Sequence, residues 1–137
     1  KIVRTAREIN DYKPEWVQHK VIAMIKELVS EGKKQDDIKI ACLGLAFKPN
    51  IDDLRESPAL EITCALAEQY PGQVIAVEPN IATLPGTLNG IITKLGDLNE
   101  SLETADVVVV LVDHKEFREI KPKFKANQRL FDAKGIW

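Results

Sequence analysis

The sequence contains little cysteine, with only Cys42 and Cys64 among its 137 residues. Two thiols do not make a disulfide framework, and in a chain with no secretory signal we expect both to be reduced. Neither has a histidine nearby in the sequence, so we interpret both as core residues rather than nucleophiles. No cluster of histidine, cysteine and carboxylate residues has the spacing of metal ligands, so we predict no metal site.

The sequence also lacks a long apolar run and an excess of charge of either sign. The longest apolar run, residues 107–112, is far too short to span a bilayer, and no charged-then-apolar leader opens the chain. Nineteen Lys and Arg stand against 21 Asp and Glu, which argues against a nucleic-acid partner. We therefore expect one soluble, cytoplasmic domain without a membrane partner. Because Lys1 rather than methionine comes first, we also expect the chain to begin within a longer protein.

Glycine is scarce at the position where a dinucleotide-binding fingerprint needs it. Gly44 stands alone after the first clear strand, whereas that fingerprint uses three glycines to approach a pyrophosphate. Glu78 ends the next strand, as a ribose-binding acid does, but it lies much farther from Gly44 than the roughly 20 residues of that motif. We therefore interpret Glu78 as a loop-capping carboxylate and predict no NAD pyrophosphate site of the usual kind at this turn.

Helix and strand patterns alternate along the chain. Val17, Val21, Met24 and Leu28 form the stripe of an amphipathic helix, and we predict one helical arm over residues 1–31. Short, mostly apolar runs predict strands at 38–43, 73–77, 105–112 and 129–132, with a weaker one at 91–94. Helices are predicted from the Ser57 N-cap onward, at 97–104 and at 115–120.

This order predicts an α/β fold: a three-layer, Rossmann-like open sheet, mostly parallel, preceded by a long N-terminal helix. Ligands of such sheets bind outside the carboxyl ends of the strands. That rule selects four segments as candidates for a binding site, namely residues 44–57, residues 78–80, Asp113 with His114, and residues 132–135.

Three cations are predicted at this edge of the sheet. Lys48 and Arg55 lie in the loop ahead of a helix N-terminus, whose free N–H groups favour anions, and together they could hold a phosphate or diphosphate. Lys134 follows the last strand and adds a third cation. Two other interpretations stay open: the loop is a solvated surface loop with a local Asp–Arg pair, and Lys134 belongs to a frayed terminus.

The same loop resembles a known family. The letters GLAFKP at 44–49 and DDLRESPA at 52–59 are similar to the C-terminal domain of the UDP-glucose/GDP-mannose dehydrogenase family, and REINDY at 7–12 resembles the end of its central helical region. The resemblance covers essentially the whole chain. Residues 77–80 and 131–137 look most like the branch that oxidises UDP-N-acetyl-D-mannosamine for bacterial surface polysaccharides.

The resemblance implies an organisation for the full-length protein. Members of this family bind NAD in an N-terminal Rossmann domain, form a dimer largely through a helical middle region, and close a C-terminal domain over the UDP-sugar. Residues 1–34 would then end the dimerisation region, and residues 35–137 would form the UDP-sugar-binding domain. The family oxidises the sugar C6 hydroxyl to a carboxylate with two NAD, through an aldehyde and a cysteine-bound thioester. The NAD-binding domain and the catalytic cysteine are absent from this sequence, so we expect the chain alone to be inactive.

The resemblance also implies roles for four residues. Phe47 and Lys48 match positions that contact the nucleotide-sugar, with the lysine near the pyrophosphate. Arg55 matches the arginine that reaches NAD across the domain interface. Lys134 stands where many relatives have a substrate-contacting arginine, and a lysine cannot reproduce the bidentate guanidinium fork.

Other interpretations remain at this point. The substrate could be UDP-glucose or another nucleotide sugar. A receiver-like phosphoacceptor domain would use Asp52, Asp53, Asp113 and Lys134, although most of a long loop separates Gly44 from Asp52. A third interpretation is mainly structural, with the N-terminal helix forming a dimer seam.

Overall fold

A computed structural model describes residues 3–6, 14–46, 57–79, 81 and 94–137 of the chain. The strands within these ranges are β1 Val3–Ala6, β2 Ile40–Leu43, β3 Val74–Val77, β4 Lys94–Leu95, β5 Val107–Val110 and β6 Arg129–Asp132. The α-helices are α1 Pro14–Ser30, α2 Pro58–Gln69, α3 Leu98–Thr104 and α4 Lys115–Arg118, and a 3-10 helix spans Gln35–Asp37.

The six strands form one sheet in the order β1-β6-β5-β2-β3-β4, and each of its five pairings is parallel. The edge strand β1 comes first in the chain; after α1 the chain enters the centre of the sheet at β2, adds β3 and β4 on one side, and then crosses over to add β5 and β6 on the other. The strand order therefore reverses between β2 and β5, where Ile40 lies opposite Val107. Open α/β sheets bind ligands at the carboxyl side of such a reversal.

Helices cover both faces of the sheet, as the predicted three-layer arrangement requires. Ile40 and Cys42 of β2 pack in the core formed with α1 and α2, whereas Ala41 and Leu43 pack in a second core that includes Phe117 of α4. Burial on both faces explains why the strands read as continuous apolar runs rather than as alternating patterns. The parallel α/β fold predicted from the sequence is confirmed.

The helix α1 belongs to the core of this domain. Its predicted apolar stripe, Val17, Val21, Met24 and Leu28, is 0 to 4% exposed. The buried Arg129 of β6 also donates hydrogen bonds to two carboxylates near the end of α1, at 3.2 Å to Glu27 Oε1 and 2.6 Å to Glu31 Oε2. Among the residues that the structure describes, every helix is too short or too polar to cross a lipid bilayer.

The prediction of one helical arm over residues 1–31 is wrong at its beginning. Residues Val3–Ala6 form β1, which pairs in parallel with β6 from Val3 opposite Arg129 to Ala6 opposite Asp132. The β-branched Val3 and Thr5 favour an extended backbone, and β1 covers an edge of β6 that would otherwise present unpaired backbone groups. The helix begins at Pro14, since proline fits a first helical turn. The predicted helical residues 7–13 lie outside the described ranges.

Candidate functional site

The carboxyl ends of the central strands bring four chain segments to one edge of the sheet. Gly44 follows β2, Glu78 follows β3, His114 follows β5 and Lys134 follows β6. Because the strand order reverses between β2 and β5, this edge is where the fold offers a ligand site.

At the reversal, the turns after β2 and β5 are in direct contact. Gly44 has φ +99°, and a Cβ added there would lie 2.5 Å from Val112 Cβ. Leu43 O accepts hydrogen bonds from the backbone N–H groups of Leu111 and Val112 at 2.9 and 3.3 Å. A side chain at Gly44 would therefore be both strained and in steric conflict, and only glycine suits this position.

Glu78 caps the turn that follows β2. Its Oε1 accepts hydrogen bonds from the backbone N–H of Leu45 at 2.8 Å and of Ala46 at 3.0 Å. His114 Nε2 lies 2.9 Å from the same oxygen, and both side chains are 0% exposed. Two backbone N–H donors and the His114 imidazole thus surround one carboxyl oxygen in a place that water does not reach. The structure confirms that Glu78 is a loop-capping carboxylate. The turn that it caps follows β2, whereas Glu78 itself follows β3.

Hydrogen bonds of Ser57 also hold the turn after β2. Ser57 Oγ donates to the backbone oxygen of Leu45 at 2.7 Å and accepts from the backbone N–H of Leu60 at 3.2 Å. Ser57 is thus the predicted N-cap of α2, and it also fastens α2 to the end of β2. Leu45 and Ser57, which lie on either side of residues 47–56 in the chain, are therefore joined directly.

Asp132 organises the turn that carries Lys134. The fully buried Asp132 accepts from the backbone N–H of Lys134 at 3.1 Å and of Gly135 at 2.7 Å through Oδ1, and from that of Trp137 at 2.8 Å through Oδ2. The Trp137 indole N–H donates to the backbone oxygen of Phe117 at 2.9 Å. This turn is therefore an ordered part of the edge rather than a frayed terminus.

The charge of Lys134 acts on the turn after β5. Burial raises the pKa of the Asp113 carboxyl, but hydrogen bonds, one of them from Arg118, and the positive charges of Arg118 and Lys134 lower that pKa below its ordinary value. The Asp113 carboxylate pairs with the Arg118 guanidinium. Lys134 thus shares an edge with the turn that contains Asp113, as the sequence predicts.

The other predicted cations cannot be placed in the same way. Phe47, Lys48 and Arg55 lie outside the described residues, as do Asp52 and Asp53. Their gathering with Lys134 therefore stays a prediction.

The surroundings of both cysteines disfavour a thiolate. Cys42 is buried in β2, and burial raises the pKa of its thiol to about 12. Burial also raises the pKa of Cys64, which is partly exposed on α2. High pKa values keep both thiols protonated, and the described residues contain no group of three side chains suited to a metal.

Sequence reasoning missed the backbone-holding role of Asp132 and the direct contact of His114 with Glu78. A signal for Asp132 was present, because an aspartate at a strand end ahead of a glycine is a common local acceptor for backbone N–H groups. His114 and Glu78 are 36 residues apart in the sequence, and no local sequence pattern predicts their contact.

Known proteins are similar to this chain in sequence. Residues 41–137 match the sequence profile of the UDP-glucose/GDP-mannose dehydrogenase family, UDP binding domain. The chain is 51% identical to the UDP-N-acetyl-D-mannosamine dehydrogenase of Escherichia coli K12, over 100% of this chain and 33% of that protein. It is 42% identical to the NDP-N-acetyl-D-galactosaminuronic acid dehydrogenase of Ralstonia nicotianae, over 100% of this chain and 30% of that protein.

A solved structure shows the same fold. The NDP-N-acetyl-D-galactosaminuronic acid dehydrogenase of Methanosarcina mazei superposes with a TM-score of 0.59 and 26% identity, over 79% of this chain and 21% of that one. The chain spans about one third of the length of the curated relatives it matches. It belongs to the UDP-glucose/GDP-mannose dehydrogenase family, and residues 41–137 are its match to the UDP-binding domain.

Proposed function

We propose that this chain is the UDP-sugar-binding domain of an NAD-dependent nucleotide-sugar 6-dehydrogenase whose substrate is UDP-N-acetyl-D-mannosamine. The observation that carries the proposal is the 51% identity, over the whole chain, to a UDP-N-acetyl-D-mannosamine dehydrogenase. The geometry supports it, because the turn before the predicted substrate loop and the turn of Lys134 start at the same edge of a parallel sheet. The family supports this function over a receiver-like domain.

The predicted site residues have complementary roles in this proposal. Lys48 and Lys134 neutralise the diphosphate, Phe47 contacts the nucleotide-sugar, and Arg55 reaches NAD bound elsewhere in the protein. Charge-assisted hydrogen bonds from cations are the contacts that a diphosphate requires. For Phe47, Lys48 and Arg55 the support is sequence similarity, and for Lys134 it is also the position after β6.

The turn after β2 has one glycine, Gly44, where the fingerprint of an NAD pyrophosphate site needs three. The absence of a side chain at Gly44 serves the close approach of Val112, whose Cβ would lie 2.5 Å from an added Cβ. We therefore infer that NAD binds mainly to another part of the full-length protein.

For that full-length protein we propose the reaction that the family resemblance implies. Two hydrides pass from the sugar C6 to two NAD, and water releases the carboxylate from a thioester on a cysteine outside this chain. The product would serve surface-polysaccharide synthesis in the cytoplasm.

Titration of the chain with UDP, followed by NMR and calorimetry, tests the binding function. Lys134→Met and Lys48→Met each remove a cation from the diphosphate, and we expect each to weaken UDP binding about tenfold or more. Lys26→Met is a matched control, because Lys26 is exposed on α1. The proposal fails if the wild-type chain shows no saturable binding at millimolar UDP, or if all three variants bind alike.

We also propose a homodimer of the full-length protein in which α1 contributes to the contact. Trp16 and Val29 of α1 are the exposed large apolar side chains of the described residues, at 41 and 38%. Because α1 is part of the core, the contact is better tested by a surface substitution than by deleting the helix. Val29→Glu should shift the full-length protein toward monomer in sedimentation, whereas Lys26→Gln should not. A Val29→Glu protein that stays dimeric contradicts this assignment.

A further inference from the structure

The Glu78 side chain joins three strand ends at the predicted substrate edge. It follows β3, its Oε1 accepts from the backbone N–H of Leu45 and Ala46 after β2, and it contacts His114 after β5. These partners are 32 to 36 residues away in the sequence. The carboxylate therefore sets the relative position of the turns on both sides of the strand reversal.

We propose that Glu78, oriented by His114, is a positioning residue for binding of the UDP-sugar, a role that rests on the proposed function. Phe47 and Lys48 follow Ala46 directly in the chain. The two N–H groups held by Glu78 therefore come immediately before the residues predicted to contact the nucleotide-sugar.

The chemistry of the contact supports a role beyond filling the core. A carboxyl group with 0% exposure is costly to bury unless hydrogen-bond partners surround it, and an apolar side chain would occupy the same volume at lower cost. The contacts of Glu78 Oε1 with Leu45, Ala46 and His114 all lie in turns at this edge. His114 in turn packs edge-on against Phe117, with ring centroids 5.4 Å apart, which fixes the imidazole that faces the carboxylate.

The backbone of Leu45 forms hydrogen bonds with both Glu78 and Ser57. Glu78 holds its N–H at 2.8 Å and Ser57 holds its carbonyl at 2.7 Å, and its side chain is buried. Loss of the Glu78 bonds would leave the Ser57 bond to the Leu45 carbonyl in place while releasing the N–H groups of Leu45 and Ala46, which precede Phe47 and Lys48 in the chain. The expected defect is therefore in ligand affinity through Lys48 rather than in the fold of the sheet.

Three variants of the chain separate this role from a merely structural one. Glu78→Met removes the acceptor at similar volume, Glu78→Gln keeps one neutral acceptor oxygen, and Glu68→Gln is the control at an exposed position near the end of α2. We expect UDP affinity to fall about tenfold or more for Glu78→Met and about threefold for Glu78→Gln, and to be unchanged for Glu68→Gln. The partial rescue by glutamine distinguishes a lost hydrogen-bond acceptor from a lost charge.

Double-mutant cycles give the decisive readout. If Glu78 acts through the turn that leads to Lys48, the losses from Glu78→Met and Lys48→Met are not additive, whereas those from Glu78→Met and Lys134→Met are. Full additivity with Lys48→Met overturns the proposal, and so does wild-type affinity in Glu78→Met. A wild-type chain that binds no UDP overturns the proposed function as well, so the two failures are distinguishable.

A second measurement covers the case in which Glu78→Met does not fold. In Glu78→Gln, amide hydrogen exchange at Leu45 and Ala46 should accelerate about tenfold, while exchange at Val108 in β5 stays unchanged. Unchanged exchange at Leu45 and Ala46 overturns the proposal. Equal acceleration at all three amides also overturns it, because that result reports loss of global stability alone.

Discussion

Replacing Gly44 by alanine tests whether the turns after β2 and β5 touch as closely as the structure shows. The backbone at Gly44 has φ +99°, where an L-residue costs about 1 to 2 kcal/mol. The new Cβ would also lie 2.5 Å from Val112 Cβ and 2.8 Å from its Cγ2. Relieving such overpacking costs about a further 1 to 3 kcal/mol, so we expect the free energy of unfolding to fall by about 2 to 5 kcal/mol.

Gly32→Ala is the matched control for this substitution. Gly32 has a similar φ of +109°, but a Cβ there would meet nothing within 4 Å. The control therefore carries the backbone strain alone, about 1 to 2 kcal/mol. Urea unfolding of the two variants measures the difference, and thermal scans should show Gly44→Ala melting roughly 10 to 20 °C below the wild type. Equal losses in the two variants would refute the close approach of Val112 to Gly44.

Three more predictions concern the buried polar and thiol groups. Asp132→Asn keeps one acceptor oxygen where Asp132 uses two, so at least one of three backbone N–H groups loses its partner and urea unfolding should show a loss of about 1 to 3 kcal/mol; an unchanged midpoint would contradict the ordered turn. Glu31→Gln weakens the pairing of the buried Arg129 guanidinium, and we expect a loss of about 1 kcal/mol that 1 M salt does not abolish. Cys42 has its pKa raised to about 12 from 9.0, so its contribution to stability is present below pH 9 and is lost as pH rises toward 12. In the folded protein at pH 8, Cys64 should react slowly with a thiol reagent and Cys42 not at all, as mass spectrometry would show; rapid labelling of Cys42 would contradict its burial.

The elements of this fold that are encoded locally could be predicted from the sequence. The spacing of Val17, Val21, Met24 and Leu28 predicts the buried face of α1, and four consecutive valines predict a strand covered on both sides. The first strand could not be predicted in this way. Four residues at the edge of a sheet have no period of their own, and β1 is specified by pairing with β6, more than 120 positions later in the chain.

Some features of the candidate site could likewise be predicted from local sequence, whereas others depend on contacts between distant residues. The position of Lys134 at the ligand edge follows from the order of strands, and the cap at Ser57 follows from local sequence. The convergence of Leu45, Ala46 and His114 on one oxygen of Glu78 depends on three crossovers bringing distant turns together. No pattern of neighbouring residues contains that information.

The direction of the change in UDP affinity tests the role of Glu78, in addition to the size of that change. A carboxylate near a diphosphate site repels the ligand, so if charge alone mattered, Glu78→Gln would bind UDP more tightly than the wild type. The structure argues for the opposite sign, because one oxygen of Glu78 is surrounded by two backbone N–H groups and His114. These contacts hold the turn after β2, and replacing Glu78 would remove more from the geometry of the turn than it removes from the repulsion. Weaker UDP binding by Glu78→Gln therefore supports the positioning role, and tighter binding would mean that Glu78 acts on the ligand mainly as a charge.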